Sequence, residues 1–133
     1  TLFEGIENWA QARSALTAED VRERALKTVR WYARHGTTRI RTHVDTACRP
    51  AAEALLALRN DLRDPELIGM PIELQVVAFP QEGILTNPQR EADWRTVVEM
   101  GCDAVGCIPH YERDHDAGNR TDRWPRGPAN CIG

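Results

Sequence analysis

The strongest constraint on the fold lies in residues 72–79, because the second half of this short run, VVAF, is continuously apolar. Such runs are typical of strands that are buried on both faces of a parallel sheet. Pro80 ends the run, since proline cannot donate a hydrogen bond to a neighbouring strand. Parallel strands need crossover connections, which are usually helices. The run therefore predicts a chain of the α/β class.

Helical and strand patterns do alternate on both sides of this run. Apolar residues recur at helical spacing in some segments, and β-branched residues are dense in others. The predicted elements are a helix at 17–35, a strand at 38–44, a helix at 50–63, the strand at 72–79, a helix at 87–100 and a strand at 103–108. A further turn or two of helix is expected around Trp9. This order predicts parallel β/α units with right-handed crossovers.

Composition excludes several classes of function. The chain has 133 residues, with 17 Lys and Arg against 20 Asp and Glu, so its net charge is −3 and no basic block favours a nucleic-acid partner. No apolar run approaches the roughly 20 residues of a membrane span, and no signal-peptide pattern follows Thr1. The four cysteines form no Cys-x-x-Cys pair. Free thiols and a cytoplasmic location are therefore expected.

Each predicted strand ends in a polar cluster, and ligands of α/β folds bind beyond the carboxyl ends of the strands. The pairs are His43 with Asp45, Gln81 with Glu82, and His110 with Glu112. A zinc site built from Cys107, His110 and His115 is disfavoured, because the spacing is not a standard one and a fourth ligand is not obvious. The residues alone leave a metal role for His43 and Asp45 open.

Residues 113–133 differ from the rest of the chain. Seven of these 21 residues are Arg or Asp, five are Gly or Pro, and Ile132 is the only Val, Leu or Ile. No helical or strand period is visible. We therefore predict a disordered tail at 113–133 after a structured segment at 1–112.

Four blocks resemble bacterial cytosine deaminases, in the order and spacing of that family. They are TLFEGIENW at 1–9, RTHVD at 41–45, VAFPQEGIL at 77–85 and GCDAVGCIPHYE at 101–112. On these blocks the chain is identified as similar to the cytosine deaminase family of metal-dependent amidohydrolases. The resemblance implies part of a (β/α)8 TIM barrel, with about three of its βα units in this chain.

The resemblance also implies an activity, the hydrolysis of the exocyclic amino group of cytosine or a related cyclic amidine with release of ammonia. A divalent metal ion, iron or zinc, would activate the attacking water in the complete enzyme. Gln81 matches a glutamine that pairs with the amide-like edge of the pyrimidine, and a side-chain amide offers both a donor and an acceptor. Leu2 matches an apolar residue that lines the substrate pocket. Gln81 and Leu2 are therefore the expected substrate-binding residues.

Other family residues are expected outside this chain. The His-x-His ligands would precede Thr1, and the remaining metal ligands and catalytic residues would follow Glu112. No catalytic residue and no metal ligand are therefore expected here, and the chain alone is expected to be inactive. Under this resemblance, His43 and Asp45 have structural or pocket-wall roles, and Glu82 holds its loop.

The remaining expectations concern partners. The complete enzyme is expected to bind a small-molecule substrate and to form a homo-oligomer, without a nucleic-acid or membrane partner. The alternative is a non-catalytic remnant or a structural fragment that self-associates through open sheet edges and exposed apolar helix faces.

Overall fold

The structure is a computed structural model that describes residues 2–109, residue 112 and residues 130–132. The elements in chain order are α1 (Leu2–Ala12), α2 (Ala18–Arg34), β1 (Arg39–Asp45), α3 (Arg49–Asp61), β2 (Glu73–Phe79), α4 (Pro88–Glu99), β3 (Ala104–Gly106) and β4 (Asn130–Ile132). Short 3-10 helices at Arg13–Ala15 and Pro65–Leu67 follow α1 and α3. Within this described part, no helix combines the length and apolar character needed to cross a membrane.

The strands form one parallel sheet in the order β1-β2-β3-β4. β1 and β2 pair along their whole length, from Arg39 opposite Glu73 to Asp45 opposite Phe79. The neighbouring pairs, β2 with β3 and β3 with β4, are also parallel. The predicted α/β class with parallel units is confirmed, and over the described residues the sheet is open. All strand ends therefore meet at one carboxyl edge.

Local sequence signals fix where the long helices begin and end. The Thr17 side chain accepts a hydrogen bond from the Asp20 amide at 3.2 Å and caps α2. Asn87 caps α4 in the same way, by accepting a 3.0 Å bond from the Arg90 amide. Gly36 follows α2 with a φ of +81°, a conformation that favours glycine. The predicted starts and stops of these two helices are confirmed to within a residue or two.

The core lies between one face of the sheet and helices α2, α3 and α4. Val44, Leu74, Val76 and Ala78 supply its sheet side, and Leu58 of α3 is fully buried against them. Burying a side chain of this size stabilises the fold by roughly 1.5–3 kcal/mol relative to leaving it in water. Strand residues alternate between faces, so the intervening positions point the other way.

The opposite face of the sheet is polar along its amino half. Arg39 of β1 forms a 2.8 Å ion pair with Glu73 directly opposite on β2. Arg41, two residues on, hydrogen-bonds Gln75 opposite it. His43 is next on the same face and is exposed. The two faces of this sheet therefore differ, with apolar residues toward the helices and a polar ladder away from them.

Two features differ from the sequence predictions. Helix α1 runs over Leu2–Ala12, where only a turn or two around Trp9 was expected. Strand β4 lies within the segment predicted to be a disordered tail, so that prediction is wrong for these three residues. They are held by main-chain pairing with β3, and a run of three residues is too short to show a strand period in the sequence. The other residues of 113–133 lie outside the described residues, so the division at residue 112 stays a prediction.

Candidate functional site

A tight turn carries Gln81 away from the end of β2. The Gly83 amide donates to the Pro80 carbonyl at 2.9 Å, so Gln81 and Glu82 occupy the two central positions of the turn. Gly83 has a φ of +78°, and a Cβ there would lie 2.9 Å from Cγ2 of Thr86. Glycine is therefore required at this position both for conformation and for space.

Glu82 is held by two arginines from different parts of the chain. Its Oε1 lies 2.5 Å from Nη1 of Arg13, and its Oε2 pairs with Arg90 at the start of α4. The Thr86 hydroxyl also donates to the Glu82 carbonyl at 2.9 Å. Both carboxylate oxygens are thus occupied by protein cations. This is the arrangement expected of a residue that holds the loop.

Arg13 bridges this turn to the end of β1. The same Nη1 that meets Glu82 lies 3.1 Å from Oδ2 of Asp45, and the Arg13 side chain is only 12% exposed. Burial alone would lower the pKa of Arg13, but hydrogen bonding to Glu82 and the charges of both carboxylates outweigh burial and raise that pKa. Arg13 is therefore a fixed cation between two acidic side chains.

Asp45 uses its oxygens for structural contacts. Besides Arg13, it accepts a 2.6 Å bond from the Trp9 indole and a 3.0 Å bond from the Ala47 amide. The His43 ring packs edge-to-face against Phe79 with centroids 5.4 Å apart. No group of three or more His, Cys, Asp or Glu among the described residues could hold a metal ion. The contacts give Asp45 the role of joining α1 to the carboxyl edge.

Glu112 holds the same turn from the far side. Its Oε1 accepts from the Ile84 amide at 2.7 Å and its Oε2 from the Leu85 amide at 2.8 Å. The residue is 9% exposed. The sequence had grouped Glu112 with His110 as a polar pair at the end of a predicted strand. The carboxylate is instead bound to backbone amides, and His110 lies outside the described residues.

Gln81 differs from its neighbours in the turn, because no side-chain bond holds it among the described residues. It is half-buried, and its backbone amide bonds the Phe79 carbonyl at 3.1 Å. Among the described residues, the Gln81 side-chain amide has no hydrogen-bond partner. The surrounding bonds fix the turn and leave this amide available at the carboxyl edge.

The other predicted residues are placed less fully. Leu2 is the first residue of α1, and its side chain lies outside the described part, so its pocket role stays a prediction. Of the residues of the disfavoured zinc site, Cys107 is buried, and His115 lies outside the described residues. Sequence reasoning missed Arg13 as a site residue. No local pattern links it to Glu82, which is 69 positions away along the chain.

Cavity size does not mark this edge. A cavity of about 620 Å³ lies on α2 beside Trp31, away from this edge. Another, of about 290 Å³, is lined by residues that include Trp9, His43 and Asp45 but not Gln81. A helix-covered parallel sheet with polar side chains gathered beyond its carboxyl ends instead defines an α/β protein of the kind whose site lies at that edge.

Comparisons with known proteins find similar enzymes. No protein-family model matches the chain. N-isopropylammelide isopropyl amidohydrolase of Pseudomonas sp. (strain ADP) is 32% identical over 109 residues, which are 80% of this chain and 26% of that protein. The crystal structure of 5-methylcytosine deaminase from Klebsiella pneumoniae liganded with 5-fluorocytosine has a TM-score of 0.81 and 44% identity, covering 91% of this chain and 28% of that one.

A second structure of the Klebsiella enzyme, liganded with phosphonocytosine, gives a TM-score of 0.78 and 45% identity over 89% of this chain and 28% of that one. The chain is thus similar to one segment of cytosine deaminase-like amidohydrolases, as the four sequence blocks predicted. It spans about a quarter of the length of these relatives.

Proposed function

We propose that this chain belongs to an enzyme that hydrolyses the exocyclic amino group of cytosine or a related cyclic amidine. Water adds to the ring carbon, ammonia leaves, and a carbonyl remains. The observation that carries the proposal is the Gln81 side-chain amide at the carboxyl edge, which has no hydrogen-bond partner among the described residues. It lies in a chain 44% identical, over the aligned part, to a 5-methylcytosine deaminase that was crystallised with 5-fluorocytosine.

The chemistry of Gln81 suits one edge of a pyrimidine. Its amide N–H can donate to the ring carbonyl while its amide oxygen accepts from the adjacent ring N–H. A ring lacking either group would leave one end of the Gln81 amide unpaired, which costs binding energy. We therefore assign Gln81 to substrate orientation. Leu2 is proposed to supply an apolar wall of the same pocket.

A divalent metal ion, iron or zinc, is part of this proposal for the complete enzyme. Such an ion lowers the pKa of bound water and supplies hydroxide near neutral pH. The described residues of this chain do not fit it, because the Asp45, Glu82 and Glu112 carboxylates are all bound to protein donors. We propose that the ion is bound by residues other than these. No step at Gln81 depends on it.

A graft tests the substrate class. Residues 1–112 would replace the matching segment of the Klebsiella 5-methylcytosine deaminase, and ammonia release from 5-methylcytosine and cytosine would be measured after metal loading. The graft is expected to turn over, and Gln81→Ala to lower kcat/KM by roughly 100-fold, because two substrate hydrogen bonds are lost. Gln89→Ala is the matched control, since this exposed amide on α4 bonds only Asp93 among the described residues.

Each outcome has a distinct meaning. A folded, metal-loaded graft that leaves both bases untouched would refute the substrate class. A graft whose activity is insensitive to Gln81→Ala would refute the role of Gln81 alone. In parallel, the purified 133-residue chain is expected to release no ammonia from cytosine and to retain no stoichiometric metal. Turnover by that chain with bound metal would contradict the assignment of the ion to other residues.

A non-catalytic, self-associating segment is the second candidate. Trp31 and Tyr32 on α2 are 59% and 41% exposed, and in the described sheet one edge of β1 is unpaired. Exposed aromatics and open edges favour contact with other chains. Sedimentation of the purified chain separates the two candidates. The self-associating candidate requires oligomers, and the Trp31→Ser variant is expected to dissociate them. The homo-oligomer and the cytoplasmic location of the complete enzyme stay predictions.

A further inference from the structure

We propose that Glu112 is a positioning residue, which holds the Gln81 turn in the conformation that binds substrate. The proposal rests on the proposed function of Gln81. It adds a link between two strands, because Glu112 follows β3 and the turn follows β2. Substrate recognition would then depend on a residue that does not touch substrate.

The carboxylate of Glu112 is matched to the backbone that it binds. Its two oxygens accept hydrogen bonds from the backbone amides of two consecutive residues, Ile84 at 2.7 Å and Leu85 at 2.8 Å. These distances are those of charge-assisted hydrogen bonds. A neutral amide side chain has a single acceptor oxygen and cannot accept both bonds in this way. The contact therefore needs a carboxylate at residue 112.

The turn fits closely around this carboxylate. A Cβ on Gly83 would lie 3.0 Å from Oε2 of Glu112, so the oxygen packs against the bare Cα of the glycine. The Pro80 carbonyl closes the turn through the Gly83 amide at 2.9 Å. A movement of Glu112 would therefore be transmitted to the two residues that follow the turn and to the glycine that ends it.

The other side of the turn is held independently. Glu82 is ion-paired with Arg13 and Arg90, and β2 fixes the backbone up to Phe79. With Glu112 on the far side, the backbone on both sides of Gln81 is fixed, while its side-chain amide has no partner within the described part of the chain. A binding group whose backbone is held in this way loses little freedom when ligand binds. Both Glu112 oxygens accept bonds from the backbone that follows the turn, so Glu112 acts on substrate through the turn that carries Gln81.

Nuclear magnetic resonance on the full 133-residue chain tests the proposal. Glu112→Gln is compared with the wild type and with Glu99→Gln, which neutralises an exposed carboxylate at the end of α4. Hydrogen exchange of the Ile84 and Leu85 amides reports the contact itself. Titration with 5-fluorocytosine, followed at the Gln81 side-chain amide signals, reports its consequence for binding.

Glu112→Gln is expected to speed exchange of at least one of the two amides by roughly 10- to 100-fold, the loss of one charge-assisted bond. It is also expected to weaken the response of Gln81 to 5-fluorocytosine by about tenfold while the chain stays folded. Glu99→Gln should leave both measurements at wild-type values. Unchanged exchange in Glu112→Gln would overturn the proposal, and so would faster exchange with unchanged binding, which a merely structural role predicts.

The experiment also separates this proposal from the one on which it rests. If the wild-type Gln81 signals ignore 5-fluorocytosine, the substrate role of Gln81 fails, and a change in exchange would then show that Glu112 holds a turn without a role in binding. Should Glu112→Gln not fold, Gly83→Ala disturbs the same contact from the turn side. That variant is expected to reproduce the faster exchange of Ile84 and Leu85 and the weaker binding, and wild-type behaviour of Gly83→Ala would overturn the proposal.

Discussion

Replacing Arg13 with methionine is the sharpest test of how the carboxyl edge is assembled. The change keeps much of the side-chain volume and removes the cation between Asp45 and Glu82, whose side chains are only 6% and 18% exposed. Each carboxylate keeps other donors, namely Trp9 for Asp45 and Arg90 for Glu82. The loss is therefore one charge-assisted bond per carboxylate, with no carboxylate left bare.

We expect Arg13→Met to lower the free energy of unfolding by about 3 kcal/mol, from two bonds of roughly 1.5 kcal/mol each. For a domain of this size, that loss corresponds to a fall in Tm of roughly 10 °C. Urea and thermal unfolding followed by circular dichroism measure both values. Arg63→Met is the matched control, because Arg63 is exposed and forms no ion pair among the described residues.

A double-mutant cycle with Glu82→Gln completes this test. The cycle is expected to give a coupling energy of about 1–2 kcal/mol between Arg13 and Glu82, since Nη1 of Arg13 and Oε1 of Glu82 lie 2.5 Å apart at a partly buried site. Additive effects, or an Arg13→Met variant as stable as Arg63→Met, would show that the bridge does not contribute to stability. The account of a fixed carboxyl edge would then be wrong.

Three further changes test other parts of the structure. Asn87→Ala removes the cap of α4 and should cost about 1 kcal/mol in urea unfolding; no loss would mean that the cap is unimportant. Trp9→Phe removes the 2.6 Å indole bond to Asp45 and should cost roughly 1–2 kcal/mol, whereas Trp31→Phe, at an exposed position, should be nearly neutral. Burial raises the pKa of Cys102 to about 11, so the thiol keeps its proton in the folded state at pH values where the unfolded chain loses it. The free energy of unfolding should therefore fall as the pH rises from the pKa of this thiol in the unfolded chain toward 11. The Cys102→Ala variant should show a shallower fall, and equal slopes would contradict the raised pKa.

The sequence predicted those elements whose cause is local. The apolar run at 72–79 became β2 at Glu73–Phe79, because continuous burial in a parallel sheet selects that composition. Asn87 and Pro88 marked the start of α4, since capping involves residues only three positions apart. Helix α1 was underestimated because tertiary contacts contribute to it, including the bond from Trp9 to Asp45 across 36 positions.

The candidate site divides in the same way. Gln81 could be proposed from the block that contains it, but its availability depends on where the neighbouring side chains bond. Spacing along a helix suggests the Arg49–Glu53 pair, four residues apart. Nothing comparable indicates that Arg13 would meet a residue 69 positions away, or that Glu112 would bind backbone amides 27 and 28 positions earlier. Those contacts exist only once the strands have been brought into register.

The polar ladder of β1 and β2 also affects how copies of this chain can meet. Arg39 and Arg41 lie at alternate positions of β1, whose outer edge carries no strand among the described residues. Charges on an edge strand act as gatekeepers, since stacking two such edges would bring like charges together. The amino half of β1 is thereby protected against edge-to-edge pairing. Among the described residues, the exposed aromatic surface of α2 at Trp31 carries no such charge ladder and therefore stays open to contact.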